Sequence, residues 1–301
     1  MRELEKHIVP KLDEPMRLSD YVPGKFDILT SKKGMKKAIE KGLVKIDGQQ
    51  AFTSRYVSGG EVLQLFAEEA KHKQPRVDMH IEVLYEDDDI AVVMKPAGVV
   101  VSSNKSLTLE NALPQNLKPS NKADALPAPQ AAHRLDFPTS GVLLVGKTRN
   151  SISALNKEFE KRAVLKTYHA IIQGPLDKKT KTEGSIDNKL KEKTAITDYN
   201  ILQTLPSPKY EQLHLIELKP HTGRRHQLRI HMQQLGLPIL GDQQYGIEGK
   251  ILKGKGLFLH ASAIAFAHPI TQEAINVKTP LPKKFDRILQ NTIGKESEEQ
   301  E

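Results

Sequence analysis

The chain has 301 residues but no cysteine and no tryptophan, and no apolar run in it is long enough to span a membrane. The absence of cysteine excludes disulfides, thiolate metal sites and cysteine nucleophiles. Residues 1–5, Met-Arg-Glu-Leu-Glu, do not start a signal peptide. The sequence therefore predicts a soluble, cytoplasmic protein that does not associate with membranes.

Acidic residues are outnumbered by basic ones. The chain contains 45 Lys and Arg against 37 Asp and Glu, which gives a formal net charge of +8, although residues 296–301 are acidic. A positive charge of this size favours a polyanionic partner, bound through phosphate contacts and counterion release. Simple solubility would explain the same charge equally well, so composition alone leaves both explanations open.

Residues 17–65 have the pattern of a small domain of the α/β type. Apolar spacing and turn residues predict helices at 17–22 and 31–41, followed by short strands at 44–46 and 61–65. Residues 1–16 are expected to form an N-terminal extension ahead of this domain. A charged linker with little apolar content is predicted at 66–78.

The second predicted helix carries Lys33, Lys37 and Lys41, which recur every four residues and so share a face. A row of lysines usually lies on a solvated face without any further role. Here the basic helix is followed by Val-Lys-Ile-Asp-Gly at 44–48, and together they resemble the small RNA-binding motif named after a small-subunit ribosomal protein. That resemblance implies that the three lysines bind RNA.

From residue 79 to residue 289 the pattern changes to short β-rich segments with few helices. Strands are expected at 90–93, 99–101, 142–145, 168–173, 212–219 and 256–267, helices at 148–161 and 224–235, and mostly loop at 102–131. Because the segments lack βαβ regularity, they favour an α+β fold around a mixed, mostly antiparallel sheet. Residues 290–301 are predicted to form a disordered acidic tail.

The most informative segment is Ala-Ala-His-Arg-Leu-Asp-Phe-Pro-Thr-Ser-Gly at 131–141. It places Asp136 directly before a turn that leads into the predicted strand at 142–145. A carboxylate held in a fixed turn at the mouth of a cleft is a candidate nucleophile or base, because it loses little entropy when it attacks. An Asx-type turn, in which Asp136 only accepts bonds from backbone N–H groups, would explain the same residues.

Further motifs occur in the same part of the chain. They are Lys-Pro-Ala-Gly at 95–98, Lys-Thr-Tyr-His-Ala at 166–170, Pro-His-Thr-Gly-Arg-Arg-His-Gln-Leu-Arg-Ile-His at 220–231, and Leu-Pro-Ile-Leu-Gly-Asp-Gln-Gln-Tyr-Gly at 237–246. Together with the His-Arg-Leu-Asp run, these segments resemble the RluA family of pseudouridine synthases in order and spacing. The resemblance covers roughly residues 79–289 and implies a catalytic domain with a central active-site cleft. Many family members carry the small RNA-binding motif ahead of that domain.

The resemblance implies that the protein isomerises uridine to pseudouridine in structured RNA without a cofactor. Asp136 would be the catalytic acid or nucleophile, Tyr168 would stack on the target base and help to move a proton, and Arg229 would pair with the aspartate. Arg134 would fill the gap that the uridine leaves when it flips out of the stack. These residue types suit those roles, because tyrosine offers a flat ring with a hydroxyl and arginine favours an ionised carboxylate.

The chain departs from the family pattern at Arg225, where the family often has threonine. Arg224 and Arg225 are expected to contact RNA phosphates. After Lys-Pro-Ala-Gly the family often continues to His-Pro, whereas residues 102–103 here are Ser-Ser. The histidines have no metal-ligand spacing: His226 and His231, for example, are five residues apart and do not share a helix face. We therefore predict no metal site.

Ribosomal RNA is the favoured substrate, because a second RNA-binding module raises the effective concentration on a large structured RNA. Transfer RNA remains open, and the protein is expected to be a monomer. A non-catalytic RNA-binding or ribosome-assembly factor is the alternative function. Such a factor would explain the basic charge and the N-terminal motif, but it would not require Asp136, Tyr168 and Arg229 together.

Overall fold

The structure, a computed structural model, describes residues 2–29, 31–67, 77–176 and 181–291. The chain divides into two compact units, a first unit of Met1–Gln74 and a second unit of Pro75–Glu301. Most of the linker predicted at 66–78 and of the tail predicted at 290–301 lies outside the described residues. Within the described ranges no helix is both long enough and apolar enough to cross a membrane.

The first unit combines a four-stranded antiparallel sheet with two short helices. Its elements are β1 (Glu3–Ile8), β2 (Met16–Arg17), α1 (Leu18–Tyr21), α2 (Lys32–Glu40), β3 (Val44–Ile46), β4 (Gln49–Gln50), β5 (Tyr56–Val57) and β6 (Val62–Phe66). The sheet order is β1-β6-β3-β4, and β2 pairs with β5. Helix α2 begins where Ser31 Oγ accepts a hydrogen bond of 3.0 Å from the N–H of Gly34. Its apolar side chains, Met35, Ala38 and Ile39, are buried.

The N-terminal residues differ from the extension expected at 1–16. Strand β1 pairs antiparallel with β6 over Glu3–Ile8, so the first unit begins well before residue 17. The carboxylate of Glu5 also accepts the N–H groups of Asp27 and Ile28 at 2.7 and 2.8 Å. An edge strand with mostly polar, exposed side chains has little apolar alternation, which is why the sequence pattern did not indicate it.

The second unit is built on one large ten-stranded sheet and also contains helices. Its elements are β7 (Val83–Glu86), β8 (Ile90–Lys95), α3 (Leu109–Asn116), β9 (Ala125–Ala131), β10 (Ser140–Thr148), α4 (Arg149–Glu160), β11 (Leu165–Gln173), β12 (Glu183–Leu190), β13 (Lys193–Ser207), β14 (Glu211–Pro220), α5 (Gln227–Gln234), β15 (Leu259–Ala267), β16 (Ala274–Lys278) and α6 (Lys283–Asn291). The sheet order is β12-β13-β14-β11-β15-β10-β8-β7, with β16 on β15 and β9 on β10.

The pairings confirm an α+β fold with a mixed, mostly antiparallel sheet. Strands β10 and β15 run parallel, whereas the neighbours on either side, such as β8 on β10 and β11 on β15, are antiparallel. Residues 90–94 of β8 and 142–145 of β10 are continuous apolar runs, and their side chains are mostly buried. Helix α4 follows β10 directly, and Thr148 and Ser151 form a capping box at its first turn.

The expectation of mostly loop at 102–131 is wrong, because α3 and β9 both lie there. Thr108 Oγ1 accepts the N–H of Asn111 at 3.2 Å and starts α3, and β9 pairs with β10. Prolines within both elements made this stretch resemble a loop in the sequence. The strand expected at 99–101 is absent as well, since these described residues lie in a turn region.

Candidate active site

A cavity of about 570 Å³ opens on the second unit, a size typical of ligand-binding pockets. Several separate parts of the chain form its walls: the segment that joins β9 to β10, the end of α4 and the residues just after it, strand β11, the segment from the end of β14 into α5, and the start of β15. The lining residues include Arg134, Asp136, Tyr168, Arg224, Arg225 and Arg229. The fold therefore brings all the site residues expected in this part of the chain to one cavity.

Asp136 lies in the turn between β9 and β10, with 23% of its side chain exposed. The N–H of Thr139 bonds the backbone carbonyl of Asp136 at 3.1 Å and leaves the carboxylate to other partners. Buried Lys95 stabilises this turn, because its ammonium donates hydrogen bonds to the carbonyls of Pro96 and Thr139 at 3.0 and 2.7 Å. Burial lowers the pKa of Lys95 to about 8, and the charge of Asp136 acts in the opposite direction.

Gly141 allows the end of this turn to pass close to β15. Its φ is +127°, in a region that side chains disfavour, and a Cβ placed there would lie 2.2 Å from the carbonyl oxygen of Ala261. The two residues are partners in the parallel pairing of β10 and β15. A glycine is therefore required at this position, immediately after the turn that carries Asp136.

Arg229 lies on α5 and is 6% exposed. Its Nε and Nη2 donate to Oδ2 and Oδ1 of Asp242, both at 2.7 Å, and its guanidinium lies over the ring of Tyr245, 4.9 Å from the centroid. The remaining nitrogen, Nη1, is 3.9 Å from Oδ2 of Asp136. The predicted ion pair between Arg229 and Asp136 is present at 3.9 Å, and Asp242 is an additional, shorter and bidentate partner that was not predicted.

Asp242 is the buried anchor of this arrangement, with its side chain entirely inaccessible to solvent. Burial favours the neutral acid, but bonds from Arg229 and from the N–H groups of Gln244 and Tyr245 outweigh that effect and lower the pKa of Asp242. The carboxylate stays ionised and holds Arg229 in one orientation. The motif at 237–246 contains this residue, but its pattern does not indicate which charged side chain Asp242 contacts.

Helix α5 begins at Gln227, so the helix expected from residue 224 is wrong at its N-terminal end. His226 adopts a left-handed conformation with φ of +57° and interrupts the helix there. The side-chain oxygen of Gln227 accepts from the Arg224 N–H at 3.0 Å and from the Thr222 hydroxyl at 2.7 Å. Arg224 and Arg225 therefore lie in the turn that precedes the helix.

His226 is a second site residue that the sequence did not single out. Its Nδ1 is 3.0 Å from the hydroxyl of Tyr245, and its Nε2 is 3.9 Å from Oδ1 of Asp136. Burial is the main cause that lowers the pKa of His226, against the attraction of the Asp136 charge. The imidazole is therefore biased toward its neutral form beside the candidate carboxylate.

Tyr168 lies on β11 and is 9% exposed. Burial, with the charge of Asp136, raises the pKa of its hydroxyl, which keeps the group protonated at neutral pH. Lys166 is two residues earlier on the same strand and also lines the cavity, and burial lowers its pKa. A flat ring and a titratable amine thus face the space in front of Asp136.

Basic side chains surround this space. Arg134 and Arg225 are exposed, and Arg224 is half-buried, with its Nε donating to the carbonyl of Thr194 at 3.0 Å. The other predicted RNA-binding residues belong to the first unit, where Lys33 and Lys37 are exposed on α2 and Lys41 is exposed at its C-terminal cap. The cavity wall is therefore suited to an anionic ligand such as an RNA backbone.

A group of possible metal ligands, Asp87, Asp89 and His268, lies apart from the residues that line the cavity, with ligand atoms within 4.8 Å of one another. Existing contacts account for the group. His268 Nε2 is 3.1 Å from Oδ2 of Asp87, and Asp89 is 3.7 Å from the ammonium of Lys122. The N–H groups of Asp89 and Ile90 bond the other oxygen of Asp87. The group is explained by ion pairs and a turn.

Comparisons with known proteins agree with this geometry. A family model described as RNA pseudouridylate synthase matches residues 89–234. The chain is 32% identical to ribosomal large subunit pseudouridine synthase D of Xanthomonas campestris pv. campestris, over 83% of this chain and 81% of that protein. It is 36% identical to ribosomal large subunit pseudouridine synthase C of Rickettsia bellii, over 68% of this chain and 70% of that protein.

A solved structure is similar as well. Human RNA pseudouridylate synthase domain containing 4 superposes with a TM-score of 0.55 at 25% identity, and the match covers 69% of this chain and 92% of that protein. The matched family model spans the candidate carboxylate, the tyrosine of β11 and the arginine of α5. These residues thus lie within the segment that the family model matches as well as in one cavity.

Proposed function

The chain belongs to the RluA family and is an RNA pseudouridine synthase, and on this basis we propose that it isomerises specific uridines of large-subunit ribosomal RNA, with Asp136 as the reacting carboxylate and no cofactor. The relatives quoted above are named for that ribosomal subunit, which supports the choice of RNA. The observation that carries the chemistry is the cavity shared by Asp136, Tyr168 and Arg229.

The balance of the reaction supports a mechanism without a cofactor. The bond between N1 of uracil and C1′ of the ribose breaks, the base turns, and a bond from C5 to C1′ forms. The proton that C5 loses is matched by the one that N1 gains, so the product has the same formula as the substrate. No oxidant, reductant or second substrate is needed, and an anchored carboxylate with a proton-holding hydroxyl can supply the chemistry.

Each of the three side chains has a role that its surroundings support. Asp136 attacks the target nucleotide or accepts a proton from it. The turn and the bond from Lys95 fix its backbone, so the carboxylate loses little entropy in that step. Arg229 stabilises the charge on that carboxylate through Nη1, at 3.9 Å, while Asp242 holds the guanidinium in place. Tyr168 would stack on the uracil, with its hydroxyl held in the protonated form.

The arginines at the cavity wall would bind the RNA backbone around a flipped uridine. Extrusion of a base costs a few kcal/mol, and that cost favours target uridines in loops and bulges. Exposed Arg134, two residues before Asp136, would occupy the place that the uridine leaves. Arg224 and Arg225 precede α5 and would contact phosphates, so the change from threonine to Arg225 would strengthen binding without touching the reacting atoms.

The first unit would act as a second RNA-binding module. Its exposed Lys33, Lys37 and Lys41 fit phosphate contacts. Linking it to the catalytic unit raises the effective concentration on one large RNA, which favours ribosomal over transfer RNA. All the proposed site residues come from one chain, so a monomer would be sufficient for activity.

Pseudouridine mapping tests the substrate. Unmodified transcripts of large-subunit ribosomal RNA and of transfer RNAs would be incubated with the protein, treated with a carbodiimide that marks pseudouridine, and read by reverse transcription. We expect a new stop in the ribosomal transcript and none in the transfer RNAs. A stop confined to transfer RNA would overturn the proposed substrate, and no stop in either RNA despite tight binding would favour a non-catalytic assembly factor.

A further inference from the structure

A second cavity of about 360 Å³ adjoins the first, and its size is also within the range of ligand-binding pockets. Arg229 lines both cavities, and Asp242 belongs to the wall of the second. The other lining residues are Ala97, Gly98, Phe137, Pro138, Gly241, Gln243, Gly256 and Leu257. Asp136 faces the first cavity and Phe137 the second, so the turn separates two neighbouring sites.

Phe137 is an exposed aromatic residue on a fixed backbone. The side chain is 56% exposed, although its carbonyl accepts the N–H of Gly98 at 2.8 Å and Pro138 follows directly. Lys95 contributes a longer bond of 3.4 Å to the same carbonyl. A single exposed apolar side chain is ordinary on a protein surface, but this one is held next to the reacting carboxylate and lines a cavity.

Three glycines line the same cavity and present bare backbone to it. Gly98, Gly241 and Gly256 have φ of +81°, +78° and +69°, and a Cβ on Gly241 would lie 2.1 Å from the carbonyl oxygen of Gly256. Their backbone allows a flat ring to approach closely. The loop that leads to Gly256 carries exposed Lys253 and Lys255, which add positive charge beside the cavity.

We propose that this second cavity binds the base of the nucleotide next to the target uridine in the same RNA strand, stacked on Phe137. The inference rests on the proposed function. Consecutive nucleotides share one phosphate, so a subsite for the neighbour must adjoin the cavity that holds the flipped uridine, as this one does through Arg229. An aromatic face suits a nucleobase, and the loop lysines suit its phosphate.

The test combines a change in the protein with a change in the RNA. Once the target uridine is mapped, the nucleotide on its 5′ or 3′ side is replaced by an abasic one. Affinity and single-turnover rate are then measured for wild type, Phe137→Ala and Phe137→Tyr. Leu202→Ala is the matched control, because Leu202 is 47% exposed and outside both cavities. Thermal melting of each variant shows that it is folded.

At one of the two nucleotides that flank the uridine, we expect the abasic replacement to lower the RNA affinity of wild type roughly tenfold. The same replacement should change the RNA affinity of Phe137→Ala very little. Phe137→Tyr and Leu202→Ala should behave as wild type. If an abasic nucleotide on either side of the uridine weakened binding equally for wild type and for Phe137→Ala, the subsite would be overturned. The proposed function would still stand in that case, provided that wild type forms pseudouridine. No pseudouridine from wild type on unaltered RNA would overturn the function itself, and the subsite with it.

Discussion

The guanidinium of Arg229 binds Asp242 through two hydrogen bonds of 2.7 Å and keeps its third nitrogen 3.9 Å from Asp136. A buried bidentate pair of this kind fixes the orientation of an arginine more firmly than a single contact does. Because its two short bonds are made to Asp242, Arg229 can stabilise charge at Asp136 without tying up that carboxylate. We therefore expect Asp242 to act as a positioning residue for the reaction.

Replacing Asp242 by Asn should slow turnover far more than it weakens RNA binding. The amide removes the negative charge and one acceptor oxygen, so Arg229 loses its fixed orientation, and a small displacement in a site of this kind costs on the order of 100-fold in rate. Single-turnover rates and RNA affinities measure the two effects separately. Asp286→Asn, an exposed acid on α6, is the control. A wild-type rate in Asp242→Asn would contradict the positioning role.

Lys95→Met should lower activity and change how stability depends on pH. Burial lowers the pKa of Lys95 to about 8, so between that value and the ordinary lysine pKa the unfolded chain binds more protons than the folded one. Lys95 therefore makes the free energy of unfolding rise with pH between these two pKa values. The total rise across that range is roughly 3 kcal/mol. The variant lacks the group and should lack this rise.

Urea unfolding of wild type and Lys95→Met at several pH values measures that difference, and exposed Lys278→Met serves as the control. The stability of wild type relative to Lys95→Met should increase as pH is raised above about 8. The variant also leaves the carbonyls of Pro96 and Thr139 without their donor, so the turn should loosen. A stability difference between wild type and Lys95→Met that stays constant across the pH range would show that the pKa of Lys95 is not lowered.

His226→Gln should alter the acid side of the pH–rate profile. In the wild type, burial lowers the pKa of His226, so the ring is neutral until the pH falls below its usual titration range. Once protonated, it would pair with Asp136, 3.9 Å away, and compete for the reacting carboxylate. The wild-type rate should thus fall on acidification, and the variant should keep its rate to lower pH.

Single-turnover rates between about pH 5 and pH 8 would show this difference. His80→Gln is a suitable control, because His80 is exposed and does not line the cavity. Identical acid limbs for wild type and His226→Gln would contradict this role of His226.

Tyr168→Phe should separate stacking from proton transfer. Phenylalanine keeps the ring, so RNA affinity should be unchanged, whereas the loss of a hydroxyl that moves a proton should slow the reaction by about 100-fold or more. Tyr168→Leu removes the flat ring too and should weaken binding roughly tenfold. Filter binding and single-turnover kinetics would measure both. A wild-type rate for Tyr168→Phe would limit this residue to stacking.

The sequence motifs predicted several candidate site residues that the fold brings together. Asp136, Tyr168 and Arg229 come from three distant segments, yet all line the same cavity. The bidentate bonds of Arg229 to Asp242 were not predicted alongside its ion pair with Asp136, since they depend on how the loop after α5 folds back on the helix. No pattern within one segment encodes that contact.

The unpredicted parts of the fold have physical reasons of the same kind. Strand β1 is polar and lies at a sheet edge, and β9 contains two prolines, so neither shows apolar alternation. Helix α5 begins three residues after its predicted start, because His226 adopts a left-handed conformation and the side chain of Gln227 accepts a hydrogen bond from the preceding turn. These features arise from tertiary contacts that local propensity does not contain.

The central measurement is single-turnover pseudouridine formation by Asp136→Asn and Asp136→Ala on the mapped ribosomal transcript, with RNA affinity measured in parallel and Asp286→Asn as control. Both Asp136 variants should bind the RNA as wild type does and form no pseudouridine, while the control turns over normally. A variant that lacks the Asp136 carboxylate and still forms pseudouridine at the wild-type rate would contradict the assignment of Asp136 as the reacting group.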